Sequence, residues 1–168
     1  MDMSNPVMTH TGVMFMEKPK TSIRPIKVTE WIDKVGPLLD EHYQEVALNK
    51  DLMRLEPDLI AYAELERADR LIALGAFSGE QMVGYSVSIL GQALHYASLR
   101  TAHNDVVFVS KEHRFGSLGI GLIQRTEAAA KDRGVQMLLW HAKQGTPLEG
   151  LLPRMGYGVQ DVIFSKGL

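Results

Sequence analysis

The chain has 168 residues, 45% of them apolar and 23% charged, which is a globular composition of single-domain length. A formal charge of −2 gives no case for a nucleic-acid partner, and the absence of cysteine excludes disulfides, thiolate metal sites and a cysteine nucleophile. No apolar run approaches the roughly 18 residues of a membrane span, and no apolar stretch near the start reads as a secretory signal, so no membrane partner is expected and the cytoplasm is the default location.

Residues 1–22 hold five of the nine methionines and two prolines without sustained periodicity, and read as a flexible N-terminal arm ahead of one domain over 23–168. Residues 23–28 make a first strand, with Pro25 suited to a sheet edge. Thr29 is placed to cap a helix carrying Trp31, Ile32, Val35, Leu39, His42, Tyr43 and Val46, kinked or split at Gly36-Pro37. Glu56-Pro57-Asp58 starts a second helix with Pro57 at its first position, followed by an apolar stripe of Leu59, Tyr62, Ala63 and Leu65. Residues 71–77 and 82–90 are strands of a hairpin turning at 78–81. In the second strand Val83, Tyr85, Val87 and Ile89 alternate with Gly84, Ser86 and Ser88, so a half-buried strand with one polar face is expected. Residues 94–100 read either as an extended loop or as more strand, and 101–109 form the fourth strand.

The next helix turns Leu118, Leu122, Thr126, Ala129 and Ala130 inward and sets Glu127 against Lys131 at i,i+4. Gly134 stops it, residues 134–142 form another strand, and a short helical segment leads to Met155-Gly156-Tyr157-Gly158. Residues 159–166 are expected to close the sheet. The pattern is α+β, a mixed, mostly antiparallel sheet with helices on both faces.

Chemistry concentrates at 106–123, where an apolar strand passes through a basic, glycine-rich turn into a helix. Amides at a helix start are unpaired within the helix and the dipole is positive there, so the segment suits an anion. Gly116, Gly119 and Gly121 allow close approach of a ligand and positive φ, and Arg114 offers a planar donor fork suited to phosphate. The same glycines would also serve tight packing alone. Neither G-x-x-x-x-G-K-[ST] nor G-x-G-x-x-G is present.

The segment resembles the acetyl-coenzyme A motif of the GNAT superfamily of N-acetyltransferases, in which a strand ending in valine precedes [RQ]-x-x-G-x-[GA] and a helix with Leu-Leu or Leu-Ile. Here the match runs through Val109, Arg114, Ser117, Gly119, Leu122 and Ile123, with Ser117 in place of the usual first glycine. The order of the turn resembles phage-encoded and prophage-type members in particular. The resemblance covers about residues 23–168 and implies the GNAT fold, acetyl-CoA as donor, and direct transfer to a primary amine. Dimerisation is frequent in that family, so a homodimer is compatible with it.

Carried onto this chain, the resemblance gives backbone contacts to pantetheine at Phe108 and Val109. Arg114 and the amides of Phe115, Gly116, Ser117, Leu118, Gly119, Ile120 and Gly121 then take the pyrophosphate. Two residues stand where a side-chain base is often found, His103 and Asp105, which share a face with Val107 and Val109 unless a bulge intervenes. His95 and Tyr96 fall in the region of acceptor pockets, and His42 and Glu45 on the helix that walls them; the alternative for each is a solvated surface. His113 adds positive charge, His141 reads as structural, and no histidine pair has a metal spacing, so no metal is expected. Leu152 stands where many relatives carry a tyrosine that protonates the leaving thiolate, and Gly145 where an asparagine is frequent. The acceptor, a small-molecule or peptide amine, is not specified. A non-catalytic acyl-CoA-binding protein acting by interaction is the alternative.

Overall fold

In the computed structural model, which describes residues 20–167, the chain enters the sheet at β1, Thr21–Pro25. The first 19 residues of the expected arm lie outside the described residues, and β1 takes in Thr21 and Ser22 from its end. α1, Val28–Trp31, is a single turn followed by a 3₁₀ turn at Ile32–Lys34, and α2 spans Gly36–Val46 with its proline in the first turn. Gly36-Pro37 therefore splits the expected helix rather than bending it. Thr29 is not the cap. Glu66 caps α1 from a distance, accepting the Val28 N–H at 2.5 Å and the Thr29 hydroxyl at 2.8 Å.

α3, Leu59–Arg67, starts two residues later than Pro57 at its first position would require. Asp58 is the N-cap, its carboxylate accepting from the Ile60 and Ala61 amides at 3.1 and 3.0 Å. β2, Leu71–Ser78, and β3, Gln81–Ala93, form the hairpin, with Gly79 at φ 60 in the turn. β4, Tyr96–Val109, begins directly after Leu94-His95, so the ambiguous stretch is mostly strand. α4 is Leu118–Asp132, β5 is Met137–Leu139, and α5 is Pro147–Leu151.

The five strands lie in sequence order, antiparallel from β1 to β4 with β5 parallel to β4. α4 packs on one face, where Leu118, Leu122 and Ala130 meet Ile72, Leu74, Val83, Leu90, Ala102 and Val109. On the other face α1 and α2 bring Val28, Val35 and Leu38 against Phe77, Tyr85, Phe108 and Val87, and α3 adds Tyr62 and Leu65. The polar face of β3 is buried too, and Ser86 meets Thr126 of α4 at 3.1 Å. Burial of this kind contributes about 1.5–3 kcal/mol for each fully enclosed large apolar side chain, and Phe77, Leu90, Leu122 and Ile123 are among those.

Two expectations fail here. Glu127 does not pair with Lys131; it accepts the hydroxyl of Tyr157, which stands edge-on to Trp140. Residues 156–167 form no strand, and Val159, Val162, Ile163 and Phe164 are exposed. β5 offers a three-residue edge, and the apolar residues of the tail fall consecutively, so neither pairing length nor a buried face is available. No helix among the described residues is long and apolar enough to cross a membrane.

Candidate active site

β4 and β5 run together for three residue pairs, Thr101–Met137, Ala102–Leu138 and His103–Leu139, although β4 continues to Val109. The next residue marks the parting. Asn104, 4% exposed, accepts the His141 N–H on Oδ1 at 2.5 Å and donates from Nδ2 to the His141 carbonyl at 3.3 Å. A side-chain amide thus satisfies backbone groups that another strand pair would have used. Beyond it the strands enclose a wedge. The Ser110 N–H reaches the Val83 carbonyl at 2.9 Å, so strand alternation turns the Val109 N–H away from β3, toward the wedge. A cleft of about 940 Å³ occupies it and reaches residues of α1, α2 and α3.

The β4–α4 turn forms one end of the cleft. The first in-helix bond of α4 runs from the Gly121 N–H to the Ser117 carbonyl at 2.7 Å, which leaves the Leu118, Gly119 and Ile120 amides without an in-helix partner. Ser117 gives no side-chain cap. Gly116 and Gly119 line the cleft, and a Cβ on either would meet open space. Gly121 is different: a Cβ there would come within 2.8 Å of the Ile23 side chain, so it serves packing against β1. The positive φ expected of this turn is not used; among the described glycines it occurs at Gly79, Gly134, Gly145 and Gly156. Ser117 sits at φ −95, so a serine there carries no backbone strain. Ile120 lines the cleft, Leu118 points into the core and Phe115 projects into solvent.

Arg114 is already engaged. Nε donates to the Val109 carbonyl at 2.8 Å, the two terminal nitrogens donate to Glu45 at 2.7 and 2.8 Å, and the guanidinium rests 5.1 Å from the Phe108 ring centre. The Arg114 fork holds the Glu45 carboxyl below the usual range, with help from Lys111. Nearby, Glu41 accepts the Lys111 N–H at 3.0 Å, and the Lys143 ammonium donates to the Val46 carbonyl at the C-terminal end of α2. The last turns of α2 are thus fastened to the β4–α4 turn and to the loop after β5.

The other end of the cleft is aromatic. His42 stacks on Phe108 at 4.6 Å and shares a hydrogen bond of 2.7 Å with the Tyr85 hydroxyl. Burial lowers the His42 pKa to about 4, with Lys143 and Arg114 acting in the same direction and Glu45 against them, so its ring is neutral at pH 7. β4 bulges here, since Val87 pairs with Val106 while Ser88 pairs with Asn104, leaving Asp105 as the extra residue. The bulge resets the alternation. Val106 and Phe108 pack on the α1–α3 side and Val109 on the α4 side, so His103 and Asp105 do not share a face with Val107 and Val109. Asp105 is exposed, lines the cleft and accepts the hydroxyl of Tyr62 from α3. Burial, then Asp105, raises the pKa of Tyr62, which stays protonated.

His103 is half-buried outside the cleft lining, stacked on His141 at 5.6 Å. Burial lowers its pKa and His141 lowers it further, with Asp105 opposing. His95 and Tyr96 sit at the exposed tip of the β3–β4 hairpin and do not line the cleft. His113 bonds the Ser110 hydroxyl at 2.8 Å. Leu152 is buried. Among the described residues no cluster of three or more His, Asp or Glu could hold a metal. Tyr62, Tyr85, Asn104 and Lys143 were not singled out for the site. Both tyrosines sit in apolar patterns that read as core, and Asn104 and Lys143 acquire their roles only from contacts 37 and 97 residues away.

Three solved structures share this architecture at low identity. An aminoglycoside acetyltransferase from an uncultured soil metagenomic sample matches with a TM-score of 0.70 at 16% identity, over 89% of this chain and 99% of that one. A ribosomal-protein-alanine N-acetyltransferase from Brucella melitensis biovar Abortus 2308 gives 0.61 at 19%, over 89% and 98%. A predicted acetyltransferase with acetyl-CoA from Clostridium acetobutylicum gives 0.68 at 11%, over 88% and 96%. No protein-family profile and no curated protein matches the sequence. Nothing in these three matches points to a phage, so the phage-type resemblance of the turn gains no support from them. Four antiparallel strands, a parallel fifth splayed from the fourth and a helix starting at the split agree with these matches, and the chain has the GNAT acetyltransferase fold.

Proposed function

We propose that the chain is an acetyl-CoA-dependent N-acetyltransferase that passes the acetyl group directly to a primary amine. The observation that carries this reading is the early parting of β4 and β5 beside the free amides of α4. The residues suit the coenzyme: Gly116 and Gly119 leave open the space a Cβ would take. The amides of Phe115 and of Ser117 to Ile120 would hold the pyrophosphate, the Gly116 N–H being spent on the Arg114 carbonyl at 2.9 Å, and the Phe108–Val109 backbone would receive the pantetheine arm as an added strand. When bound, the donor supplies an activated thioester. The amine nitrogen bonds to the acetyl carbon, the C–S bond breaks, and the coenzyme leaves as the thiol with the proton the amine gives up.

The Val109 N–H is aimed to polarise the acetyl carbonyl. Asp105 is the better placed of the two candidate bases because it lines the cleft and His103 does not. Its carboxylate takes the ammonium proton, and the Tyr62 hydroxyl fixes its orientation. Arg114 acts chiefly by fastening α2, with the backbone amides bearing most of the anion.

Calorimetric titration with acetyl-CoA tests the coenzyme site. Wild type should bind with micromolar affinity and Gly119→Trp should not, because the indole enters space that is otherwise open. A folded wild type that binds no acetyl-CoA would overturn the reading. A second reading, coenzyme binding without turnover, is favoured by one observation: Leu152 is buried and brings no hydroxyl to the place where the resemblance expects tyrosine. Thiol release measured across an amine panel decides between the two.

A further inference from the structure

The aromatic end of the cleft limits what amine can enter. Its walls include Trp31, Val35 and Leu39 on one side and Val87 and Val106 on the other, with the Tyr62, Tyr85 and Phe108 rings between them. His42 adds no charge, being neutral at pH 7. Among the described residues, the carboxylates lining the cleft are Glu45, Glu56 and Asp105. Glu45 is held bidentate by Arg114, and Glu56 lies on the exposed loop between α2 and α3. That leaves Asp105, at the junction of wedge and aromatic chamber. Among the described residues, the lining cations are Arg54, Arg114, Lys143 and Arg154, so these walls do not attract a polycation.

We propose that the acceptor is a monoamine on an apolar body, its one ammonium group on Asp105 and its aliphatic or aromatic skeleton along Trp31, Val35 and Leu39. This rests on the acetyltransferase reading. A single carboxylate satisfies a single ammonium group, and the apolar walls take the rest of the molecule. A polyamine or an aminoglycoside would carry further ammonium groups into apolar walls without counter-charges, which costs desolvation with no return. The chamber therefore departs from what an aminoglycoside would require, although one structure of the same fold is an aminoglycoside acetyltransferase.

The test compares phenethylamine, spermidine and kanamycin as acceptors at saturating acetyl-CoA, reading thiol release, after acetyl-CoA binding has been established by calorimetry. The expected kcat/KM for phenethylamine exceeds the other two by about tenfold or more, within what an apolar pocket can discriminate. Leu39→Glu should erode that preference, and Asp105→Asn should lower phenethylamine turnover while acetyl-CoA affinity holds. Preference for spermidine or kanamycin would overturn the acceptor assignment and leave the acetyltransferase reading standing. Absence of acetyl-CoA binding would overturn that reading itself. Coenzyme binding with no amine turned over would establish the non-catalytic alternative and remove the acceptor assignment with it.

Discussion

Arg114 has five N–H bonds to give, and three of its nitrogens are already placed, one on the Val109 carbonyl and two on Glu45. Glu45→Gln separates its two roles. If Arg114 chiefly fastens α2, the substitution loosens the fold by about 1 kcal/mol or less, as expected of a partly exposed pair, and leaves acetyl-CoA affinity within a few-fold of wild type. If Arg114 chiefly binds pyrophosphate, freeing it should tighten the coenzyme, and calorimetry reads the difference. The pair also sets an acid limit. The folded pKa of Glu45 lies below its ordinary 4.5, so its contribution is present above pH 4.5 and lost as pH falls through the folded value. Glu45→Gln should flatten that limb of a stability–pH curve. His42 acts over a higher window. Its folded pKa of about 4 lies below the ordinary 6.5, so the unfolded chain binds the proton first and stability falls as pH drops from 6.5 toward 4. His42→Phe, which keeps a ring on Phe108, should remove this slope in denaturant titrations run across that range.

At the scale of elements, what was legible in the sequence was what the chain decides locally. The hairpin follows from apolar runs around Gly79, the split of the first helix from Gly36-Pro37, and the α4 start from its glycines. What failed depends on a partner. Thr29 looked like a cap because caps are usually adjacent in sequence, whereas Glu66 reaches α1 from 38 residues away. The bulge at Asp105 follows from a one-residue mismatch between β3 and β4, which neither strand shows alone. The tail at 159–166 has strand-forming residues but no edge of sufficient length to meet. Glu66→Ala tests the distant cap: it removes both bonds to the start of α1, and a loss of about 1–2 kcal/mol is expected in chemical denaturation. A Glu66→Gln variant keeps the acceptor oxygen and should recover part of it.

For the whole molecule, the division between legible and hidden follows the division of the cleft. The glycine-rich end, where the coenzyme is proposed to sit, comes from one continuous segment, so its strand, turn and helix were legible in advance, whereas the packing role of Gly121 was not, because its neighbour Ile23 is on β1. The aromatic end is assembled from α2, α3, β3 and β4, through contacts such as His42–Tyr85 and Tyr62–Asp105, each 43 residues apart. No local pattern announces those. The two ends share one body, so ligand at the first should stabilise everything. Acetyl-CoA at a hundredfold excess over Kd should add about 2.7 kcal/mol. That corresponds to a rise in Tm of roughly 5–10 °C for a domain of this size, and Gly119→Trp should keep its own Tm but lose the rise.

Asn104 gives this body a property that a plain sheet would lack. Two neighbouring strands left to themselves go on pairing like a zip, and a zipped β4–β5 edge would erase the slot whenever it stood empty. By gripping His141 with its amide, one side chain stops the zip at its third tooth. Because a side chain of the protein itself holds the strands apart, a ligand entering the slot has no strand pairs to break before it can settle, and its capture should proceed in one step at a rate that rises in proportion to its concentration.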